Sequence, residues 1–257
     1  MSYGLQGKTA FLTGGSSGIT LGIAEKLAEE GANLTILARK EEKLTAARDQ
    51  LEALGAECLA IPADVRDAEA MAEAMRVTAE RFGAVDIVIA GAAGNFLAPA
   101  KDLSPKGFRT VMEIDAQGVF NTFHSAYPHL TKPGACLIAI SAPQATIPYP
   151  AQIHANAAKA AIDHMVRTLA VEWGPEGVRC LGISPGPIAD TEGMRRLAPT
   201  PEATERAAAQ TPLKRLGLKT EVAELAAFLA SDRASYITGA IIPCDGGLAL
   251  AGARGLG

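Results

Sequence analysis

Between an apolar run ending near Leu12 and the helical stretch that follows, the chain reads Thr13-Gly-Gly-Ser-Ser-Gly-Ile-Thr-Leu-Gly22. Gly14 and Gly18 permit a tight turn and a close backbone approach, and the helix through Ile23, Ala24 and Leu27 turns free N–H groups and its positive dipole end toward that turn. Such a loop cradles a diphosphate, with Ser16, Ser17 and Ile19 lining it. Thr20 stands where many dinucleotide loops carry a further glycine, so the packing there is expected to differ slightly. A second apolar run ends at Leu37-Ala38-Arg39-Lys40. A carboxylate here would bind a ribose 2′-hydroxyl, whereas a cation suits the extra phosphate of NADP. The cation is present and the acid absent. Arg39, with Lys40 as helper, therefore predicts NADP(H); the alternative is a solvated charge at a helix start. Asp64-Val65 follows the third run, where the acid is placed either to accept from an adenine amino group or to cap a helix near Asp67.

The elements that must hold these residues are legible as alternating runs. Short β-branched stretches occur at 9–12, 34–38, 58–61, 85–90, 136–140, 178–183 and 240–243. Helical periodicity fills the gaps, with Leu44, Ala47, Leu51 and Leu54 in one and Ile162, Met165, Leu169 and Trp173 in another. Continuous apolar strands imply burial on both faces. The expected fold is a single doubly wound, Rossmann-like α/β domain over 1–257, with a parallel sheet of about seven strands. The stretch 185–212, rich in proline and holding a helix-like piece near Met194 to Leu197, interrupts the regularity after the sixth strand. Ligands in open α/β sheets lie beyond the strand carboxyl ends, so it reads as a substrate lid or as a plain surface excursion. The Gly/Ala-rich tail 251–257 is expected to be disordered or to pack at a subunit contact.

Composition narrows the function classes. The chain has 257 residues, 24 Lys plus Arg against 28 Asp plus Glu, and a net charge of −4, with no cationic excess for a nucleic-acid backbone. Apolar stretches fall well short of a spanning helix, and the N-terminus lacks a signal-peptide layout, so no membrane partner and a cytoplasmic location are expected. Cys58, Cys136, Cys180 and Cys244 are scattered singly in apolar runs and read as buried free thiols. His124, His129, His154 and His164 have no metal-ligand spacing, so no metal is expected. His154 reads as structural, and Trp173 as a core anchor.

Thr13-Gly with Gly18, Asp64-Val65, Ala92-Ala-Gly94, Lys159, Pro185-Gly-Pro187 and Asp245-Gly-Gly247 together resemble the short-chain dehydrogenase/reductase family over the whole chain. That family usually has a Tyr four residues before its lysine and a Ser thirteen before that Tyr; here Ala155 and Ala142 stand in those places. Neither can relay a proton. One branch is similar at these departures. Ala90-Gly-Ala-Ala-Gly-Asn-Phe96, Glu113-Ile-Asp115, Gln152-Ile-His154-Ala-Asn-Ala-Ala-Lys159 and the run from Pro185 to Arg196 resemble the 2,4-dienoyl-CoA reductases, the peroxisomal type above all.

The resemblance implies NADPH reduction of a 2,4-dienoyl-CoA thioester to a 3-enoyl-CoA. It also implies catalytic roles for Asp115 and Lys159, which with an ordered water would supply the proton, and places Gly91, Ala92, Lys159, Pro185, Gly186 and Ile188 on the cofactor. Asn95 and Phe96 would touch the acyl thioester. Ser141 and Tyr149 are the nearest hydroxyls to the lost pair, and Arg195, Arg196 and Lys101 are candidate cations for the CoA phosphates. A homotetramer is implied as well, and apolar residues on more than one face of expected helices at 106–130 and 151–173 agree with it. The terminal Gly-Leu-Gly does not read as a peroxisomal signal, so a location different from that of the resembling eukaryotic form is expected. Two further readings keep the fold: a reductase for another enone or carbonyl, and an NADP-binding protein without catalysis.

Overall fold

The computed structural model describes residues 2–251; the tail expected to be disordered or to form a contact lies, beyond Ala251, outside the described residues. Seven parallel strands form one sheet in the order β3-β2-β1-β4-β5-β6-β7. They are β1 Thr9–Thr13, β2 Asn33–Ala38, β3 Cys58–Pro62, β4 Ile87–Ala90, β5 Cys136–Ile140, β6 Arg179–Pro185 and β7 Ile241–Cys244. Each lies within about two residues of its expected place. The sequence reverses direction across the sheet between β1 and β4, which opens a crevice at their carboxyl ends.

Side-chain alternation along the strands feeds two cores. Leu12, Ile36, Ile87 and Ile89 face one layer, with helices α1 (Gly18–Glu29), α2 (Glu41–Ala53) and α9 (Lys219–Ala230). Phe11, Leu37 and Val88 face the other, with α3 (Ala68–Phe82), α5 (Gly118–Ala126) and α6 (Ile153–Trp173). Continuous apolar runs were expected to mean burial on both faces, and the central strands have it; the edge strands β3 and β7 are only half-buried, because no neighbour flanks their outer sides. Leu44, Ala47 and Leu51 are buried, but Leu54 is exposed, since α2 ends before it can turn Leu54 inward. All four cysteines are free.

Two helical expectations change. The helix expected at 106–130 is α4 (Pro105–Met112), a π-helical turn (Glu113–Gln117), α5, and a final 3₁₀ turn at Tyr127–His129. The irregular 185–212 stretch contains α7 (Glu192–Leu197) and also α8 (Pro201–Gln210), which the sequence reading passed over. Its start signal was present: Thr200 accepts from the Ala203 N–H, and Pro201 fits the first helical turn. No residue of α7 or α8 is fully buried. Among the described residues, no helix is long and apolar enough to cross a membrane.

Candidate active site

A cavity of about 980 Å³ opens at the crevice and is walled by residues of the first five βα turns, α6, the β6 end and both helices of the 185–212 stretch. At its phosphate end, the loop after β1 supplies Gly14, Ser16, Ser17, Gly18 and Ile19. Gly14 has φ +75°, and a Cβ there would lie 2.9 Å from Ala92 N and from the Gly91 carbonyl, so only glycine lets the β1 and β4 turns approach this closely. Gly18, at φ +62°, meets nothing within 4 Å and leaves its side of the loop open. The Ser17 hydroxyl makes no capping bond, which leaves the first N–H groups of α1 free for an anion. Thr20, in the place of a glycine, would collide with any Cβ on Gly91.

Arg39 and Lys40 line the same end and are exposed, and among the described residues Arg39 makes no ion pair. Asp64 also lines the cavity but holds Arg66 with both oxygens, at 3.0 and 2.6 Å. That guanidinium keeps the Asp64 carboxyl below its ordinary range. The cap near Asp67 is supplied by Asp67 itself, which accepts from the Ala70 N–H. Val65 is fixed through its carbonyl, which accepts from Asn121 Nδ2 at 2.8 Å.

The centre of the cavity is built around Asp115, on the π turn and 1% exposed. A π turn inserts one residue into a helix and redirects its inner side chains. Asp115 Oδ1 accepts from the Gly94 N–H at 2.7 Å, and Oδ2 stands 3.5 Å from Lys159 Nζ. Lys159 Nζ also donates to the Ile140 carbonyl at the end of β5. Burial raises the Asp115 carboxyl pKa, while Lys159, the Gly94 N–H and His154 pull against it. Ala142 and Ala155 line the wall nearby and contribute no polar group.

Ser141 reaches the cavity wall, but its hydroxyl donates to Asp163 of α6, and both residues are buried. Burial raises the Asp163 pKa. Tyr149 is half-buried on the wall, and its phenol pKa is raised by burial and then by the Asp245 charge. Asp245 accepts from the Gly247 and Ala249 N–H groups, and a Cβ on Gly186 would strike its Cα at 2.6 Å, so that turn fixes the backbone of Pro185 and Gly186. Ile188 is buried beside it.

Asn95 donates from Nδ2 to Gln152 Oε1 at 2.6 Å, and Phe96 packs on the His154 ring at 4.4 Å. The cavity thus brings together the residues singled out for the cofactor, the acyl thioester and catalysis. It does not include Lys101 or Arg195; of the three suggested CoA cations, only Arg196 lines it. Gln144, Gln152, Asp163 and Arg206 were missed. Arg206 sits on the overlooked α8, and Gln152 carried a readable signal, lying seven residues before Lys159 at the head of α6.

A family model described as Enoyl-(Acyl carrier protein) reductase matches residues 14–249. A short chain dehydrogenase structure from Bacillus anthracis superposes with a TM-score of 0.85 at 37% identity, covering 95% of this chain and 97% of that one. The chain belongs to the short-chain dehydrogenase/reductase family. It is therefore an oxidoreductase on a fold that takes a nicotinamide cofactor. Among curated relatives, the Peroxisomal 2,4-dienoyl-CoA reductase [(3E)-enoyl-CoA-producing] of Danio rerio is 46% identical over 252 residues, covering 97% of this chain and 84% of the relative. The Probable 2,4-dienoyl-CoA reductase [(2E)-enoyl-CoA-producing] of Bacillus subtilis is 37% identical, covering 95% and 97%.

Proposed function

We propose that this chain reduces 2,4-dienoyl-CoA thioesters to 3-enoyl-CoA with NADPH. One observation carries the reading: the cavity holds a buried Asp115–Lys159 couple and presents alanines at 142 and 155. A buried acid touching an amine suits protonation of carbon. The name of the relative at 46% identity supports the same assignment, whereas the relative at 37% is named for the (2E)-enoyl product and supports the dienoyl-CoA substrate alone.

The cofactor end fits a phosphorylated dinucleotide. The open side of Gly18, the uncapped α1 N-terminus and the exposed Arg39 would hold the diphosphate and the 2′-phosphate, with Ser16, Ser17, Ile19 and Lys40 around them. Asp64 and Val65 would border the adenine, and Gly91, Ala92, Pro185, Gly186, Ile188 and Lys159 the nicotinamide half. Bound, the reduced nicotinamide supplies a hydride to the far end of the diene.

The remaining chemistry falls to the chain. Hydride addition drives electrons onto the thioester carbonyl oxygen and forms a dienolate, which must be stabilised and then protonated at the carbon next to the carbonyl. Asp115 and Lys159 would hold a water at that carbon and transfer its proton. Asn95 and Phe96 would orient the acyl group. Helices α7 and α8 would close over the substrate as a lid, with Arg196 and Arg206 toward the CoA phosphates.

The same reading includes a homotetramer assembled through α5 and α6, where Phe120 and Val171 are exposed, and a cytoplasmic location. The test is NADPH consumption with 2,4-hexadienoyl-CoA, beside NADH, a 2-enoyl-CoA and a simple ketone, with the double-bond position of the product read by mass spectrometry. Turnover confined to the dienoyl thioester, with NADPH preferred and a 3-enoyl product, is the expected result. NADPH binding without turnover on any substrate would sink the assignment.

A further inference from the structure

We propose that the Gln152 side-chain amide is the donor that receives the dienolate oxygen of the substrate thioester, an inference that rests on the reductase reading above. A developing oxyanion needs an N–H or O–H already aimed at it. Three hydroxyls around the reaction centre are committed elsewhere: Ser141 donates to Asp163, Thr110 to the Lys106 carbonyl and Thr191 to the Ile188 carbonyl. Lys159 is shared between Ile140 and Asp115.

Gln152 differs from all of these. It is 7% exposed and lines the cavity. It shares one side of the α6 head with Ala155 and Lys159, at i, i+3 and i+7. Two amides converge on its oxygen, Asn95 Nδ2 at 2.6 Å and Gln144 Nε2 at 3.3 Å. With Oε1 filled by two donors, the amide plane is fixed and Nε2 points away from them, carrying two N–H groups.

Among the described residues Nε2 has no protein acceptor. Among the described residues the sealed polar atoms without a partner are Asn95 Oδ1, both ring nitrogens of His154 and Asn156 Oδ1, and Nε2 is not one of them. An atom that is neither bonded nor sealed on a side chain this buried opens onto the cavity that the side chain lines. The donor is thus held rigidly on one side and free on the other, the preorganised arrangement that makes such a group effective in a transition state. Tyr149 also reaches this wall, but among the described residues no hydrogen bond holds its phenol in place, so it lacks that rigidity.

The deciding experiment compares wild type with Gln152→Glu, Gln152→Met and Tyr149→Phe, reading kcat and KM for 2,4-hexadienoyl-CoA and the Kd for NADPH by its fluorescence. Gln152→Glu keeps an acceptor for Asn95 and Gln144, so its fold is preserved where Gln152→Met loses theirs. Both changes at Gln152 are expected to lower kcat about 100- to 1,000-fold, with KM and the NADPH Kd within about threefold of wild type in Gln152→Glu. A kcat near wild type in both, a parallel loss of kcat and NADPH binding in Gln152→Glu, or the large kcat loss in Tyr149→Phe instead, would overturn the proposal and leave the reductase assignment standing. Absence of turnover in the wild type would overturn both.

Discussion

The Asp115 carboxyl and Lys159 Nζ meet 3.5 Å apart in the cavity, one carried by a π turn and the other by α6. Neither group is easily replaced. Asn at 115 still offers an oxygen to the Gly94 N–H but has no acidic proton, so Asp115→Asn is expected to lower kcat on 2,4-hexadienoyl-CoA by about 100- to 10,000-fold with NADPH affinity retained. Lys159→Ala removes the same proton path and a cofactor contact together, so both kcat and NADPH affinity should fall. Steady-state kinetics beside fluorescence titration separates the two; equal loss of NADPH binding in both variants would refute the division of roles.

Burial at Asp115 also makes a prediction about stability. Its folded pKa is raised, so between the ordinary carboxylate value of 3.8 and the raised value the native state binds its proton more tightly than the unfolded chain does. Stability from this group therefore falls as pH rises through that window and stays lost above it. Asp115→Asn carries no such proton. Groups shifted the other way, such as Glu221 at about 2 beside Arg215, are common to both proteins and cancel in the difference. The melting temperature of Asp115→Asn minus that of wild type should grow from about pH 4 upward and then level off. A difference that shrinks with rising pH would contradict the burial argument.

Arg39 is expected to set the cofactor choice. It is exposed at the end of β2 with no carboxylate partner among the described residues, while the nearest acid in the adenine region, Asp64, is held by Arg66. A charge-assisted hydrogen bond contributes about 1.5–3 kcal/mol, so Arg39→Ala should raise KM for NADPH about 10- to 100-fold. KM for NADH should move less than about twofold, since NADH has no phosphate to lose. Equal effects on both coenzymes would mean that Arg39 only shapes the loop.

Sheet order and the phosphate loop were legible because their signals are local: apolar runs of strand length, glycines at one turn, a cation at another. The π turn was not. Nothing in Glu113-Ile-Asp115 departs from an α-helical pattern, and the turn's Asp115 is held by the Gly94 N–H, a contact 21 positions away. Helix α8 was obscured by its prolines, though Thr200-Pro201 is an ordinary helix start. Ser141 shows a third limit. Spacing placed a hydroxyl beside the reaction centre, but the alternation of a strand end decides which side that hydroxyl faces, and here it faces Asp163.

That orientation gives the last prediction. If the Ser141 hydroxyl serves Asp163 and not the substrate, Ser141→Ala strips a buried carboxyl of its side-chain donor, and an unsatisfied buried group costs about 1–3 kcal/mol. For a domain of this size the expected fall in melting temperature is roughly 2–10 °C. Activity on 2,4-hexadienoyl-CoA should stay within about threefold of wild type at temperatures where the variant is folded, because Asp115, Lys159 and Gln152 are untouched. Asp163→Asn makes the complementary case: its amide is neutral and still accepts from Ser141, so it should lose less stability than Ser141→Ala. Were Ser141→Ala instead to keep its melting temperature and lose kcat, the serine would have to turn toward the substrate during the reaction, and the donor assigned to Gln152 would have a competitor.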